Sequence, residues 1–378
     1  MIEKILYKIK KIVDFINYLY ARHKKYLYTK RMLMNLDVNK HTMYPNEPRK
    51  CKSLIIKEIL HLLQEQRDSW TPEMTVTQYF FCGCDRQSAN IEDFVFQKEY
   101  DCARDSLNGE LAPLYKYKNI VGSYLKSKGI NASCSLGQIS SDGQLITLND
   151  GSIKNLIQWL KEYKNSVFCK PNDGNQGRSC YRIENTDSSH LFLVNGKKHS
   201  AEKIPSLLSN LIVEPLIIQS AELRNYSPNC VNPLRIRTMN INGDIKYVST
   251  YISIGGLDAY YSNGASSGVM IGLDEKGQCI TDGFCEVQGK EGRFSILPGT
   301  NIRIADILIT GVKEAIELAK AAHRTTPQIF AIGWDVGITD NGPIIIEGNP
   351  QYGSCTYQAI SGIGERQFFE REFKSRLK

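Results

Sequence analysis

No run of 18 apolar residues occurs in this sequence, so composition excludes a membrane-spanning helix. The N-terminus has no uninterrupted apolar stretch, because Lys4, Lys8, Lys10, Lys11, Asp14 and Asn17 break it up, and a secretory signal is not expected. The eleven cysteines are scattered and odd in number, which argues against a disulfide framework and for free thiols in a reducing compartment, so a cytoplasmic location is expected. Cys82-Gly83-Cys84 has no matching second pair; that removes a four-ligand zinc site and leaves a reduced, partly buried pair. Internal repeats and low-complexity segments are missing. So are a Gly-x-x-x-x-Gly-Lys-Ser/Thr loop and any Ser/His/Asp or Cys/His arrangement for covalent catalysis. What remains is ordinary for a globular protein, with 42% hydrophobic and 23% charged residues. At 378 residues the chain exceeds one core, and two or three domains or subdomains are expected.

Acidic residues are scarce at the start. Positions 1–50 hold twelve Lys/Arg against four Asp/Glu, a surplus of eight beside a net +7 for the whole chain. Ile2, Ile5, Leu6, Ile9, Ile12, Val13 and Ile16 recur at helical spacing within a helix expected over residues 1–34. A basic amphipathic helix interleaved with Tyr18, Tyr20, Tyr26 and Tyr28 suits an anionic membrane surface or a membrane-bound partner. A helix packed on the core with solvated lysines gives the same pattern. Nucleic acid is not expected, since the excess is confined to one terminal helix. Residues 51–67 read as a second helix ending near Trp70-Thr71-Pro72, and the stretch 75–107 reads as irregular.

From Lys118 the pattern sharpens. A helix over 119–128 stops at Gly129, strands follow at 133–138 and 144–148, and a helix over 152–164 precedes a strand over 166–170. Lys170 ends that strand and leads into Gly174, Gln176 and Gly177, a loop whose amides and preceding ammonium suit phosphate. The run 211–218 is apolar apart from Glu214 and Pro215, and the proline should end the strand there. A strand from Asn232 puts Arg235 and Arg237 on one face, a clamp for phosphate or carboxylate, or else a solvated strand edge. Residues 305–322 read as a helix with Ile307, Leu308, Val312, Ile316 and Ala319 on one face.

The stretch 333–350 organises the rest. Two apolar runs flank Asp340-Asn341-Gly342, a hairpin signal because Asn-Gly tolerates positive φ. With Asn341 at the turn, Asp335 and Glu347 stand six residues to either side and face each other, and Asn349 shares Glu347's face. Opposed carboxylates destabilise a sheet unless a cation joins them, and a hydrated Mg²⁺ needs only a few hard oxygens. An edge hairpin with solvated acids is the plain alternative.

Taken in order, these signals resemble the ATP-grasp superfamily. The segment Asn232-Pro233-Leu234-Arg235-Ile236-Arg237-Thr238 is similar to its N-T-x-R-x-x-T segment, and residues 333–349 to its G-W-D-V…G-P-x-x-I-E-x-N segment. Both are characteristic of the sugar-transfer-associated ATP-grasp proteins, often linked with capsular or surface polysaccharide. The resemblance covers about residues 114–355. It implies an α+β fold in which two subdomains with antiparallel sheets clasp ATP, preceded by a helical extension. The expected parts are a basic N-terminal segment 1–50, a helical and irregular region 51–112, a first ATP-grasp part 113–165, a lid 166–215 and a C-terminal subdomain 216–378.

The resemblance also assigns roles. Lys118 and Lys170 take the positions of the two nucleotide lysines, and Gly174, Gln176 and Gly177 belong to the loop that closes over the phosphates. Glu214 and the backbone of Leu216 fall where the adenine edge is read, and Glu222 where the ribose hydroxyls are held. Arg235 is the counterpart of the arginine that steadies the transferred phosphoryl group, and Asp335, Glu347 and Asn349 of the ligands for two Mg²⁺ ions. Pro233 replaces the usual threonine, and Ser262 before Asn263 replaces an aspartate in a segment that lines the acceptor pocket. The implied activity is an ATP-dependent carboxylate-amine ligase working through an acyl phosphate on a small-molecule or glycan carboxylate, with a membrane or glycosyltransferase contact through the N-terminal helix. A kinase of the same fold acting on a sugar hydroxyl, and a non-catalytic nucleotide-binding partner in glycan assembly, are the alternatives.

Overall fold

The computed structural model describes residues 23–24, 26–65, 71–173, 179–188, 190–257, 259–260, 268–287, 289–353 and 355–377. Residues 1–22 and 25 of the basic N-terminal segment, and the loop residues Gly174, Gln176 and Gly177, lie outside the described residues. Ser262 and Asn263 lie outside them too. The chain divides into two compact units, residues 1–91 and 92–378.

In the first unit, helix α1 (Lys52–Glu65) buries Ile55, Ile59 and Leu62. Helix α2 (Pro72–Phe81) corrects the expectation of an irregular stretch. Thr71 caps it by accepting from the Met74 N–H, and Pro72 stands in its first turn, so what reads as a terminator is a start signal. Cys82 and Cys84 are free and buried.

The second unit begins with another helix that the sequence hides, α3 (Gln97–Asn108), whose buried face is Tyr100, Ala103, Arg104 and Asn108. Half of that face is polar, so hydrophobic periodicity does not reveal it. Helix α4 (Lys118–Ser127) ends where expected, with Gly129 at φ +76°.

An eight-stranded antiparallel sheet follows. Its strands are β1 (Gly137–Ile139), β2 (Leu145–Leu148), β3 (Ile153–Asn155), β4 (Val167–Pro171), β5 (Tyr181–Asn185), β6 (Leu191–Val194), β7 (Lys197–Ser200) and β8 (Leu211–Pro215), in the order β3-β2-β1-β8-β4-β5-β6-β7. Residues 137–155 therefore share one sheet with residues 167–215. Helix α5 (Leu156–Tyr163), capped by Asn155, packs Leu156, Trp159 and Leu160 on the face formed by Ile139, Ile146, Val167, Cys169 and Val213. Alternation then forces Lys170 and Glu214 onto the opposite face.

The second sheet is also antiparallel: β9 (Leu234–Ile241), β10 (Asp244–Gly255), β11 (Gly268–Leu273), β12 (Gly283–Cys285), β13 (Gly292–Phe294), β14 (Ala331–Thr339) and β15 (Gly342–Asn349), ordered β13-β12-β11-β10-β9-β14-β15. Helix α6 (Val312–Arg324) packs Val312, Ala315, Ile316, Ala319 and Ala322 on one face of it, against Leu234, Ile236, Ile332, Trp334 and Val336. It starts later than the expected 305–322. Ile307 and Ile309 are buried and Leu308 exposed, an alternation of extended chain, and Gly311 at φ +81° opens the helix. Two short helices, α7 (Cys355–Ser361) and α8 (Arg366–Glu372), close the chain. Among the described residues no helix is long and apolar enough to cross a membrane.

Behind β14 lies a buried hydrogen-bond chain. Trp334 Nε1–H donates to Thr238 Oγ1 at 2.9 Å, Thr238 stands 2.7 Å from His323 Nδ1, and His323 Nε2 is 2.8 Å from the Ile329 carbonyl. A carbonyl only accepts, so Nε2 carries the proton, Nδ1 accepts from Thr238, and the imidazole is neutral. Burial holds His323 down to about 4 from an ordinary 6.5. A depressed histidine contributes stability that is complete above the unfolded value and is lost as pH falls toward the folded one. At about 1.4 kcal/mol per pH unit of displacement, roughly 3 kcal/mol is lost between pH 6.5 and pH 4. Urea unfolding across that range should show this loss in the wild type and a shallower one in His323→Gln. Equal slopes in the two proteins would refute the assignment.

Candidate active site

The hairpin β14–β15 forms, and Asp335 faces Glu347 across it. The route to that pairing differs from simple counting. The turn is Asp340-Asn341 between the paired residues Thr339 and Gly342; positive φ falls on Gly342 at +100° and on neither turn residue. That register alone would set Asp335 opposite Ile346. A β-bulge between Asp335 and Val336 leaves Ile346 unpaired and restores Glu347 to Asp335. It also explains the burial: Ile345 lies in the core beneath the sheet, while Glu347, two residues on, points to the other face. Gly348 has no room for a side chain, as a Cβ there would stand 2.7 Å from the Tyr115 ring and 2.8 Å from Trp334.

Arg235 reaches Asp335 from the other side. β9 pairs with β14 so that Arg235 is Asp335's neighbour, with NH2 donating to Oδ2 at 3.0 Å and Nε 2.6 Å from Oδ1. β9 is central in its sheet, so Arg235 and Arg237 do not sit on a solvated edge. They are not a joint clamp either: the Arg237 guanidinium is buried on Glu365, with NH1 donating to Oε2 at 3.0 Å, and Nε donates to Ser249. Glu365 lies beyond the resemblance and carries no local signal.

The first sheet brings one opposite charge and helix α4 another. Lys170 Nζ is 2.8 Å from Glu214 Oε2, and Ser133 Oγ donates to the same oxygen at 2.8 Å. Lys118, at the start of α4, places Nζ 3.8 Å from Glu347 Oε2. Its backbone N–H donates to Asn172 O at 3.2 Å, tying α4 to the end of β4. Asn349 Oδ1 accepts from Gln351 N–H at 2.8 Å and retains a second lone pair.

Electrostatics follow from this crowding. Burial pushes Asp335 up to about 7; Glu347 opposite adds to the rise and Arg235 opposes it. Burial works against ionised Glu347 as well, but Lys118, Lys170 and Arg235 outweigh it and hold Glu347 below its ordinary value. Burial would lower Lys170, yet Glu214 and Glu347 keep it above its ordinary value. One carboxylate of the facing pair is thus strained in its charged form, a condition that a cation between them relieves. Among the described residues no three His, Cys, Asp or Glu side chains gather as metal ligands. The donor set is two carboxylates and one amide, which suits a hydrated Mg²⁺ and not a fully dehydrated ion.

Two of the expected nucleotide groups are engaged elsewhere. Glu222 stands apart from the cluster, its carboxylate accepting from the Thr310 N–H at 3.3 Å and from the Thr310 hydroxyl. The Leu216 N–H donates to Ser166 O at 3.2 Å. A cavity of about 540 Å³ opens on the Lys170 face of the first sheet, lined by Asn119, Gln138, Thr147, Asn149 and Asn210 and by none of the cluster's charged groups. Gln138 pairs with Ile212 and Ile212 with Lys170, which places the cavity two strands from that lysine.

No curated protein matches the chain. Solved structures similar to it include the ATP-grasp ligase PsnB complexed with a minimal precursor, at 10% identity over 72% of this chain and 63% of that one, TM-score 0.40. The VanG D-Ala:D-Ser ligase from Enterococcus faecalis gives 10%, 72%, 63% and 0.42. D-alanyl-alanine synthetase A from Vibrio cholerae O1 biovar eltor str. N16961 gives 13%, 70%, 66% and 0.41. The chain spans less than two thirds of the length of the first two. Residues 98–369, the greater part of the second unit, match the family profile described as sugar-transfer associated ATP-grasp, and the chain belongs to that family and has its ATP-grasp fold.

Proposed function

We propose that the protein is an ATP-dependent carboxylate-amine ligase, ADP-forming, acting in capsular or surface polysaccharide biosynthesis. The observation that carries this reading is the meeting of Lys170 of the first sheet and Lys118 of helix α4 with the Asp335–Glu347 pair of the second sheet. Lys118 and Lys170 would hold the ATP phosphates between the sheets. Lys170 has three N–H donors and Glu214 takes one, so two remain for phosphate oxygens. Asp335, Glu347 and Asn349 would hold Mg²⁺, two ions in the fullest reading, which supplies charge neutralisation on the phosphates. Arg235, oriented by Asp335, would present its remaining N–H groups to the γ-phosphoryl group and the acceptor carboxylate. Transfer to the carboxylate gives an acyl phosphate and ADP, and an amine displaces phosphate to leave an amide. No protein nucleophile enters, in keeping with the sequence. The site's neighbour, the neutral polar cavity, suits the uncharged part of a glycan acceptor.

The test is turnover of ATP with Mg²⁺ against uronic acids and sugar nucleotides, with and without amino acids. ADP is expected only when acid and amine are both present. ADP formed with a hydroxyl-bearing sugar and no amine would replace this reading with a kinase.

A further inference from the structure

Helix α3 carries three buried side chains one turn apart, Tyr100, Arg104 and Asn108, and all three grip the chain just beyond Asn349. Strands β14 and β15 pair only as far as Gly333 and Asn349. Two residues earlier on β14, the Asn108 amide takes the place of the missing strand: Oδ1 accepts from the Ala331 N–H at 2.8 Å, and Nδ2 donates to the Ala331 carbonyl at 3.1 Å. The same Nδ2 donates to the Pro350 carbonyl at 2.9 Å. Arg104 donates to the Tyr352 carbonyl, with its guanidinium 5.6 Å from the centre of the Tyr352 ring, and the Tyr100 and Tyr352 hydroxyls are 2.8 Å apart. Residues 350 and 352 are thereby held from α3, and Gln351 between them holds Asn349 through its N–H.

We propose that Asn108 is a positioning residue for the metal site, setting where Asn349 Oδ1 stands relative to Glu347 and Asp335. The inference rests on the metal reading above. A side chain that served the fold alone would need to tie α3 to the sheet anywhere; this one bonds both the strand that bears Asp335 and the residue bonded covalently to Asn349. Its full burial, at 1% exposure, leaves no water to replace those bonds.

The experiment is Mn²⁺ titration by electron paramagnetic resonance into the full chain with a non-hydrolysable ATP analogue. In Asn108→Ala the Kd for Mn²⁺ should rise about tenfold or more, the usual effect of removing a partner that orients a ligand, while metal-free analogue binding stays within about twofold. Tyr100→Phe removes only the bond to Tyr352 and keeps the ring in place; it should weaken Mn²⁺ by a smaller factor. Trp159→Phe, under the first sheet, should lower the unfolding temperature without moving the Mn²⁺ affinity. Unchanged Mn²⁺ binding in Asn108→Ala, or in Tyr100→Phe if the alanine variant does not fold, overturns the inference. Asn349→Ala separates the two failures: if it too leaves Mn²⁺ binding unchanged, the metal assignment is wrong and this inference falls with it.

Discussion

On the proposed reading, Glu347→Ala should lose ATP turnover on the order of a thousandfold or more while the protein stays folded, because it would remove a ligand of the Mg²⁺ that neutralises phosphoryl charge, which costs far more in rate than in stability. Within the hairpin Glu347 faces Asp335, and that approach is repulsive when both are ionised. Its removal takes away a like charge and leaves Asp335 paired with Arg235, whose bonds do not involve Glu347. Thermal unfolding should therefore fall only modestly, since Lys118, Lys170 and Arg235 lose a carboxylate that they hold below its ordinary value while Asp335 is relieved of a like charge. The ion pair to Lys118 at 3.8 Å is lost with it, as is the attraction of Lys170 and Arg235. Circular dichroism, the unfolding temperature and ADP formation, measured on one preparation, decide the matter. Near-normal turnover in a folded variant would sink the metal assignment.

The outline of this site is legible in the sequence because each strand advertises itself locally. Apolar alternation sets Arg235 on one face of β9, and the turn signal at Asp340-Asn341-Gly342 brings Asp335 toward Glu347. The pairing is reached by two errors that cancel: a turn placed at Asn341 in place of Asp340-Asn341, and a bulge at Ile346 that counting cannot see. A bulge has no composition of its own; it follows from Ile345 needing the core and Glu347 needing the opposite face. Arg237 shows a different limit. Strand periodicity makes it the twin of Arg235, but its partner Glu365 is 128 residues away, and only tertiary structure shows that its guanidinium is taken. Helix α3 is missed for a third reason, since Arg104 and Asn108 are buried with their polar groups satisfied and so break the apolar pattern. His323 follows the same rule. It becomes interpretable only once Thr238 and Trp334, both inside recognisable segments, are seen to share its hydrogen bonds.

Lys170→Met should damage the protein twice, and the two effects can be separated. Lys170 and Glu214 are 7% and 5% exposed and 2.8 Å apart. Removing one partner of such a pair strands a buried carboxylate, at a cost of about 3–5 kcal/mol. Among the described residues Ser133, at 2.8 Å, would remain as a side-chain donor, too little to offset the burial of the charge. The single variant should therefore unfold early and lose turnover, which by itself says nothing about nucleotide. In the double variant Lys170→Met/Glu214→Leu both charges are gone, and replacing a buried pair with apolar groups of similar size is often neutral for stability. Its unfolding temperature should return most of the way to wild type. Turnover and analogue binding should not return, because the ammonium that faces Glu347 across the site, and the phosphate contacts it would make, are still missing. If turnover recovers together with stability, Lys170 serves the fold alone and the nucleotide must be held by other groups.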